Sequence, residues 1–78
     1  MLLVNPLEFQ AGRHLIRIEA APLHFPGVSG WVGTWHIYRL PRVLNEMPIR
    51  YGDTDIVATA EMALGIARSI ASLIARSL

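Results

Sequence analysis

The stretch TAEMALGIARSIASLIARSL, residues 59–78, decides the fold because it is the only long segment with a clear helical period. Its polar residues fall on one stripe at about 100° per residue, as in an amphipathic helix. Thr59 can cap the first turn through its hydroxyl, while Glu61 and Arg76 complement the two ends of the helix dipole. We therefore predict a helix over residues 60–77. Its predicted polar stripe is Glu61, Arg68, Ser72 and Arg76.

The apolar arc of this helix spans roughly 220°, about twice the ~100° that one core requires. Four alanines recur along it every four residues: Ala63, Ala67, Ala71 and Ala75. Such a ridge of small side chains permits close approach of a sheet or of a second helix. We expect Leu23, Phe25 and Val28, or the N-terminal segment, to cover one flank of the helix. The other flank, with Met62 and Leu73, is predicted to contact a second copy of the chain in a homodimer.

Length and composition limit the class of protein. The 78 residues make one domain, residues 1–78, at a size where only about 60% of the unfolded surface is buried and where dimerisation is a common remedy. The 53% apolar content argues against disorder. The chain has no cysteine, which excludes disulfides and thiolate metal sites. A net charge of +1 is no strong footprint for nucleic acid.

The same sequence features indicate the compartment. Residues 1–9 have neither a basic segment nor a sustained apolar run, so no signal peptide is predicted. Arg68 lies in the middle of the predicted helix, where it disfavours insertion into a membrane. We therefore expect a cytoplasmic protein that does not bind membranes.

Alternation of apolar and polar residues predicts three strands before the helix. They cover residues 14–20, 31–40 and 49–51. Ile16 and Ile18 are the inward residues of the first strand. In the second strand neither face is plainly polar, and we take Trp35 and Ile37 as inward. The predicted fold class is α+β: a three-stranded antiparallel sheet in β-β-β-α order, covered on one face by a single long C-terminal helix.

The remaining segments are predicted from their turn-forming residues and from their apolar content. Residues 22–30 hold two prolines and two glycines and are predicted to form a loop. The apolar residues of the N-terminal segment are expected to tuck against the core: Leu2, Leu3, Val4, Leu7 and Phe9. A short edge strand over residues 7–9 is an alternative. The predicted core consists of Ile16, Ile18, Trp35, Ile37, Ile66, Ile70 and Ile74.

The order of these elements resembles that of small uncharacterised proteobacterial proteins with a strand-strand-strand-helix unit. The likeness covers roughly residues 12–78 and lies in a threonine-acidic-alanine helix start. It is carried by Val57, Thr59, Glu61, Ala63 and Ala67. The chain lacks the acidic ending associated with that pattern. The resemblance implies a bacterial α+β protein and no known activity.

Residues that could carry catalysis or bind metal do not form a recognisable motif. None of the three histidines, His14, His24 and His36, has the helical spacing of a metal site. Asp53 and Asp55 lack the further ligands of a calcium loop, which favours a turn with solvated carboxylates. There is no glycine-rich phosphate loop and no nucleophile elbow. We therefore predict no enzymatic activity, no cofactor and no metal, and no small-molecule ligand is identified.

One cluster on the predicted outer face of the sheet could carry a function. Arg17, His36 and Tyr38 share this face, and further residues are expected at its edges: Arg39, Arg42, Arg50 and Tyr51. Aromatic rings interleaved with arginines are what stacking of single-stranded bases requires. The same face could instead bind a protein. The predicted function is a non-catalytic protein-interaction module that forms a homodimer, and the alternative is a small single-stranded nucleic-acid-binding protein.

Overall fold

The structure is a computed structural model that describes residues 6–78. It contains four strands and one helix: β1 (Leu7–Ala11), β2 (His14–Phe25), β3 (Val28–Arg39), β4 (Arg50–Asp53) and α1 (Ala60–Ser77). The strands form one antiparallel sheet in the order β1-β2-β3-β4. The α+β class is confirmed, but the sheet has four strands because residues 7–11 pair with β2. The predicted positions of Leu2, Leu3 and Val4 lie outside the described residues.

The C-terminal helix begins and ends as its sequence predicts. The Thr59 hydroxyl accepts a hydrogen bond from the backbone N–H of Met62 at 3.1 Å and satisfies a free donor of the first turn. Glu61 lies in the first turn and Arg76 in the last. Within residues 6–78 no helix has both the length and the apolar character needed to cross a bilayer.

Residues 22–30 form a hairpin, and the prediction of a loop there is wrong. β2 continues to Phe25 and β3 starts at Val28, so only Pro26 and Gly27 form the turn. Gly27 has a φ of 81°, a conformation that glycine adopts at little cost. Proline followed by glycine supplies the two backbone conformations that this turn needs.

Pro22 is tolerated inside β2 because of where it lies in the strand. It pairs with Trp31, whose N–H and C=O both bond to Val57 on the other side, each at 2.8 Å. The Pro22–Trp31 pair is therefore not hydrogen-bonded. A proline without an N–H loses no ladder bond to β3 at such a position.

The apolar residues of the hairpin do not cover the helix, contrary to expectation. Leu23 alternates with Glu19 and Ala21 on the face of the sheet that lies away from α1. Phe25 and Val28 are exposed at the end of the hairpin. These side chains lie on the outer face because the strand period of two continues through them.

The core lies between the inner faces of β2 and β3 and the alanine ridge of α1. Ile16, Ile18 and Ile37 are fully buried and Trp35 is buried beside them, as predicted. The buried helical residues are Ala63, Ala67, Ala71 and Ala75. Ile70 and Ile74 only pack against the edge of this core, and Ser72 on the predicted polar stripe is half-buried. Ile66 is exposed, so its predicted place in the core is wrong.

The alanines of α1 face the sheet because the helix lies very close to β3. A Cβ atom built on Gly33 would overlap the carbonyl oxygen of Ala63, so only glycine leaves room for this approach. The Gly33 N–H donates to the Thr54 hydroxyl at 2.9 Å, and the Thr54 N–H donates to the Gly33 carbonyl at 2.8 Å. At this separation small side chains fit between helix and sheet, and larger ones move to the flanks.

Candidate interaction surfaces

A line of apolar side chains runs along one exposed flank of α1. Met62, Ile66 and Leu73 are 50%, 38% and 62% exposed. With the exposed Ser69 they follow one another at intervals of four, three and four residues. This is the spacing of the contact positions of paired helices. We call these four residues the helix flank.

Helical spacing turns the helix flank away from the alanine face of α1 that packs on the sheet. On the β1 side of the helix, the Arg68 guanidinium lies 4.5 Å from the centre of the Phe9 ring. The inward positions of β4 are Arg50 and Gly52, which pair with Ile37 and Trp35. A Cβ atom at Gly52 would overlap the Trp35 ring, so the ring occupies that space. β4 therefore offers no apolar side chain to cover the helix flank.

The outer face of the sheet brings together three of the four predicted interaction residues. Arg17 of β2 is paired with His36 of β3, and Tyr38 follows His36 on the same face. His36 stacks on both Tyr38 and Tyr51, with ring centres 6.4 Å apart in each pair. Arg39 lies on the inner side instead, because consecutive strand residues point to opposite faces.

We call Arg17, His36, Tyr38, Arg42 and Tyr51 the outer cluster. Tyr38 is its least accessible ring. It is only 8% exposed, and the Arg42 guanidinium lies 3.8 Å from its ring centre. Tyr51 is 70% exposed and is the ring that a ligand can reach. The sequence predicts Arg42 and Tyr51 only at the edges of this face. The pairing of β4 with β3 places Tyr51 opposite His36, and a strand period alone does not reveal that.

The charge of the outer cluster is partly neutralised. Arg17 Nε lies 3.5 Å from a carboxylate oxygen of Glu19, and both side chains are partly exposed. The Nδ1 atom of His36 is buried and has no hydrogen-bond partner among residues 6–78. Arg17 Nε is likewise buried without a hydrogen bond among the same residues. The cluster therefore offers stacking surface and two unbonded polar atoms, but no strong positive field.

Neither a metal site among the described residues nor a similar protein indicates the function. In the described part of the chain, no three His, Asp or Glu side chains are grouped so that they could hold a metal ion. The chain matches no protein-family model, no curated protein and no solved structure. Its resemblance to proteobacterial proteins stays a prediction, and the functional interpretation rests on the geometry of the helix flank and the outer cluster.

Proposed function

We propose that this chain is a non-catalytic interaction module that forms a homodimer through the helix flank. The observation that supports this proposal is the exposure of Met62, Ile66 and Leu73 on a helix whose buried face is made of alanine. Large exposed apolar side chains grouped on one side of a helix are typical of a protein–protein contact. The alanine face already packs the helix on its own sheet, so packing within one chain does not explain these larger apolar residues on the exposed side.

A second copy of the chain fits the helix flank better than an unrelated partner because the flank is self-complementary. Met62 and Leu73 are equally distant from the midpoint between Ile66 and Ser69. In an antiparallel pair related by a two-fold axis, Met62 then lies opposite Leu73 of the second copy. Ile66 lies opposite the small Ser69, which allows close approach at the centre. Closed two-fold dimers use one patch twice in this way.

Charges at the two ends of the helix favour the same antiparallel orientation. Glu61 and Arg76 are both exposed and lie near opposite ends of α1. An antiparallel arrangement brings Arg76 to the level of Glu61 in the second copy, whereas a parallel arrangement places like charges at the same level. Such exposed pairs contribute at most about 1 kcal/mol each, so they select the orientation rather than drive the association.

Replacing Leu73 with glutamate should weaken the dimer. The substitution places a carboxylate opposite Met62 of the second copy, and we expect the dissociation constant to rise at least tenfold, about 1.4 kcal/mol. Light scattering over a series of concentrations measures the mass of parent and variant. Leu44→Glu is the matched control, since Leu44 is 86% exposed and belongs to the β3–β4 connection and not to the helix flank. If the parent chain stays monomeric at high micromolar concentration, the proposed homodimer is wrong.

The outer cluster supports a second candidate function, the binding of single-stranded nucleic acid. The observation in its favour is the stack of His36 between Tyr38 and Tyr51, with Arg17 and Arg42 beside the rings. Bases stack on exposed aromatic rings, and arginines contact the phosphates. The partial neutralisation of Arg17 by Glu19 makes this candidate the weaker one.

Tyr51→Ala should weaken binding of a single-stranded oligonucleotide by about 1–3 kcal/mol if this candidate is right. Tyr51 is the residue to replace because Tyr38 is buried and its loss would disturb the fold. Arg17→Ala should reduce the dependence of binding on salt, since a phosphate contact is lost. Phe25→Ala, at another exposed ring, serves as the control for fluorescence anisotropy titrations. The absence of binding at low salt would rule the candidate out.

A further inference from the structure

A basic cavity lies where α1 ends over the sheet. It has a volume of about 460 Å³ and is lined by four basic side chains: Arg13, His14, Arg39 and Arg50. Its apolar part is formed by Leu40, Ile49 and Leu78. We call this site the basic cavity. None of these residues belongs to the helix flank or to the outer cluster.

The sheet topology brings these basic residues together from three distant parts of the sequence. His14 pairs with Arg39, so both lie on the inner face of the sheet. Arg50 pairs with Ile37, which shares that face with Arg39 two residues later. The Leu40 N–H donates to the Arg13 carbonyl at 3.2 Å and holds the β1–β2 turn beside the end of β3. Backbone pairing therefore fixes the positions in the sheet from which these side chains extend.

The positive charge of the basic cavity is only partly balanced by the protein. Its three arginines carry three positive charges, whereas the whole chain has a net charge of +1. The ion pair found among residues 6–78 joins Arg17 and Glu19, so no described carboxylate pairs with a cavity arginine. The C-terminal end of α1 contributes the equivalent of about half a negative charge. The carboxylate of Leu78, which lines the cavity, adds a further negative charge, so the three arginines are only partly offset and the cavity keeps a positive excess.

We propose that the basic cavity binds the phosphate group of a small phosphomonoester, with the organic part of the ligand against Leu40, Ile49 and Leu78. A phosphomonoester carries about 1.5 to 2 negative charges and three acceptor oxygens. Guanidinium groups match such oxygens with paired hydrogen bonds. Three guanidiniums supply more donors than one carboxylate accepts, which favours phosphate over carboxylate. This inference does not depend on the homodimer.

Titration calorimetry with phenyl phosphate, at constant ionic strength, tests the proposal. We expect phenyl phosphate to bind more tightly than inorganic phosphate, because only the ester has a ring to contact the apolar wall, and more tightly than benzoate. Diethyl phosphate, a diester with one charge, should bind most weakly of the phosphates. Arg39→Gln and Arg50→Gln should each raise the dissociation constant about tenfold or more, the effect of losing a charged hydrogen bond.

Arg68→Gln is the matched control, because Arg68 lies over Phe9 on the β1 side of the helix and outside the basic cavity. It should leave the dissociation constant unchanged. The proposal is overturned if phenyl phosphate does not bind at millimolar concentration, or if benzoate binds equally well. It is also overturned if Arg39→Gln and Arg50→Gln bind like the parent, or if Arg68→Gln loses as much affinity as they do.

Discussion

Replacing Ile37 with alanine should lower the free energy of unfolding by about 2–5 kcal/mol. Ile37 is fully buried near the end of β3, paired with Ile16 on one side and Arg50 on the other. The loss removes buried apolar surface and leaves a cavity, because the strands on both sides are held by their ladder bonds. Urea denaturation, followed by circular dichroism, measures the change.

Ile66→Ala makes the same chemical change at a position outside the core. Ile66 is 38% exposed on α1, and alanine is the better helix former by up to about 0.7 kcal/mol. We therefore expect little loss of stability, provided that both variants are compared at concentrations where the chain is monomeric. An equal loss in Ile37→Ala and Ile66→Ala would mean that the alanine face of the helix is not the buried one.

The helix and the strand faces are predictable from the sequence because they depend on local periods. The cap at Thr59 and the helical period predict both the first and the last residue of α1 correctly. Alternation identifies the inward residues of β2 and β3, which are Ile16, Ile18, Trp35 and Ile37. The rotation of α1 about its axis is not predictable in this way. Hydropathy ranks isoleucine above alanine, whereas the close approach at Gly33 selects the smaller side chain.

The extent of the strands and the composition of the sites depend on long-range pairing. Pro22 indicates a loop locally, and its place in β2 is explained only by the bond pattern of Trp31. Alternation places Arg17, His36 and Tyr38 on one face, but it does not predict that Arg42, from beyond the strand, covers the Tyr38 ring. The basic cavity draws its arginines from three separate parts of the sequence. No local pattern joins them.

Replacing Gly33 with alanine should destabilise the protein by up to about 3 kcal/mol, the upper part of the usual range for overpacking. The added Cβ would overlap the carbonyl oxygen of Ala63, which belongs to the helix backbone and cannot move aside as a flexible side chain could. Gly33 is in ordinary strand conformation within β3, so alanine causes no backbone strain of its own. The expected loss therefore measures the contact between helix and sheet.

Gly65→Ala is the matched control and should act in the opposite direction. Gly65 lies in α1 with nothing within 4 Å of an added Cβ, and alanine stabilises a helix interior by about 1 kcal/mol relative to glycine. Thermal melts of both variants at one protein concentration give the two changes side by side. If Gly33→Ala melts at or above the temperature of the parent, helix and sheet are not in the close contact that places alanine in the core. The helix flank would then lose the reason for its exposure, since isoleucine and leucine could turn inward.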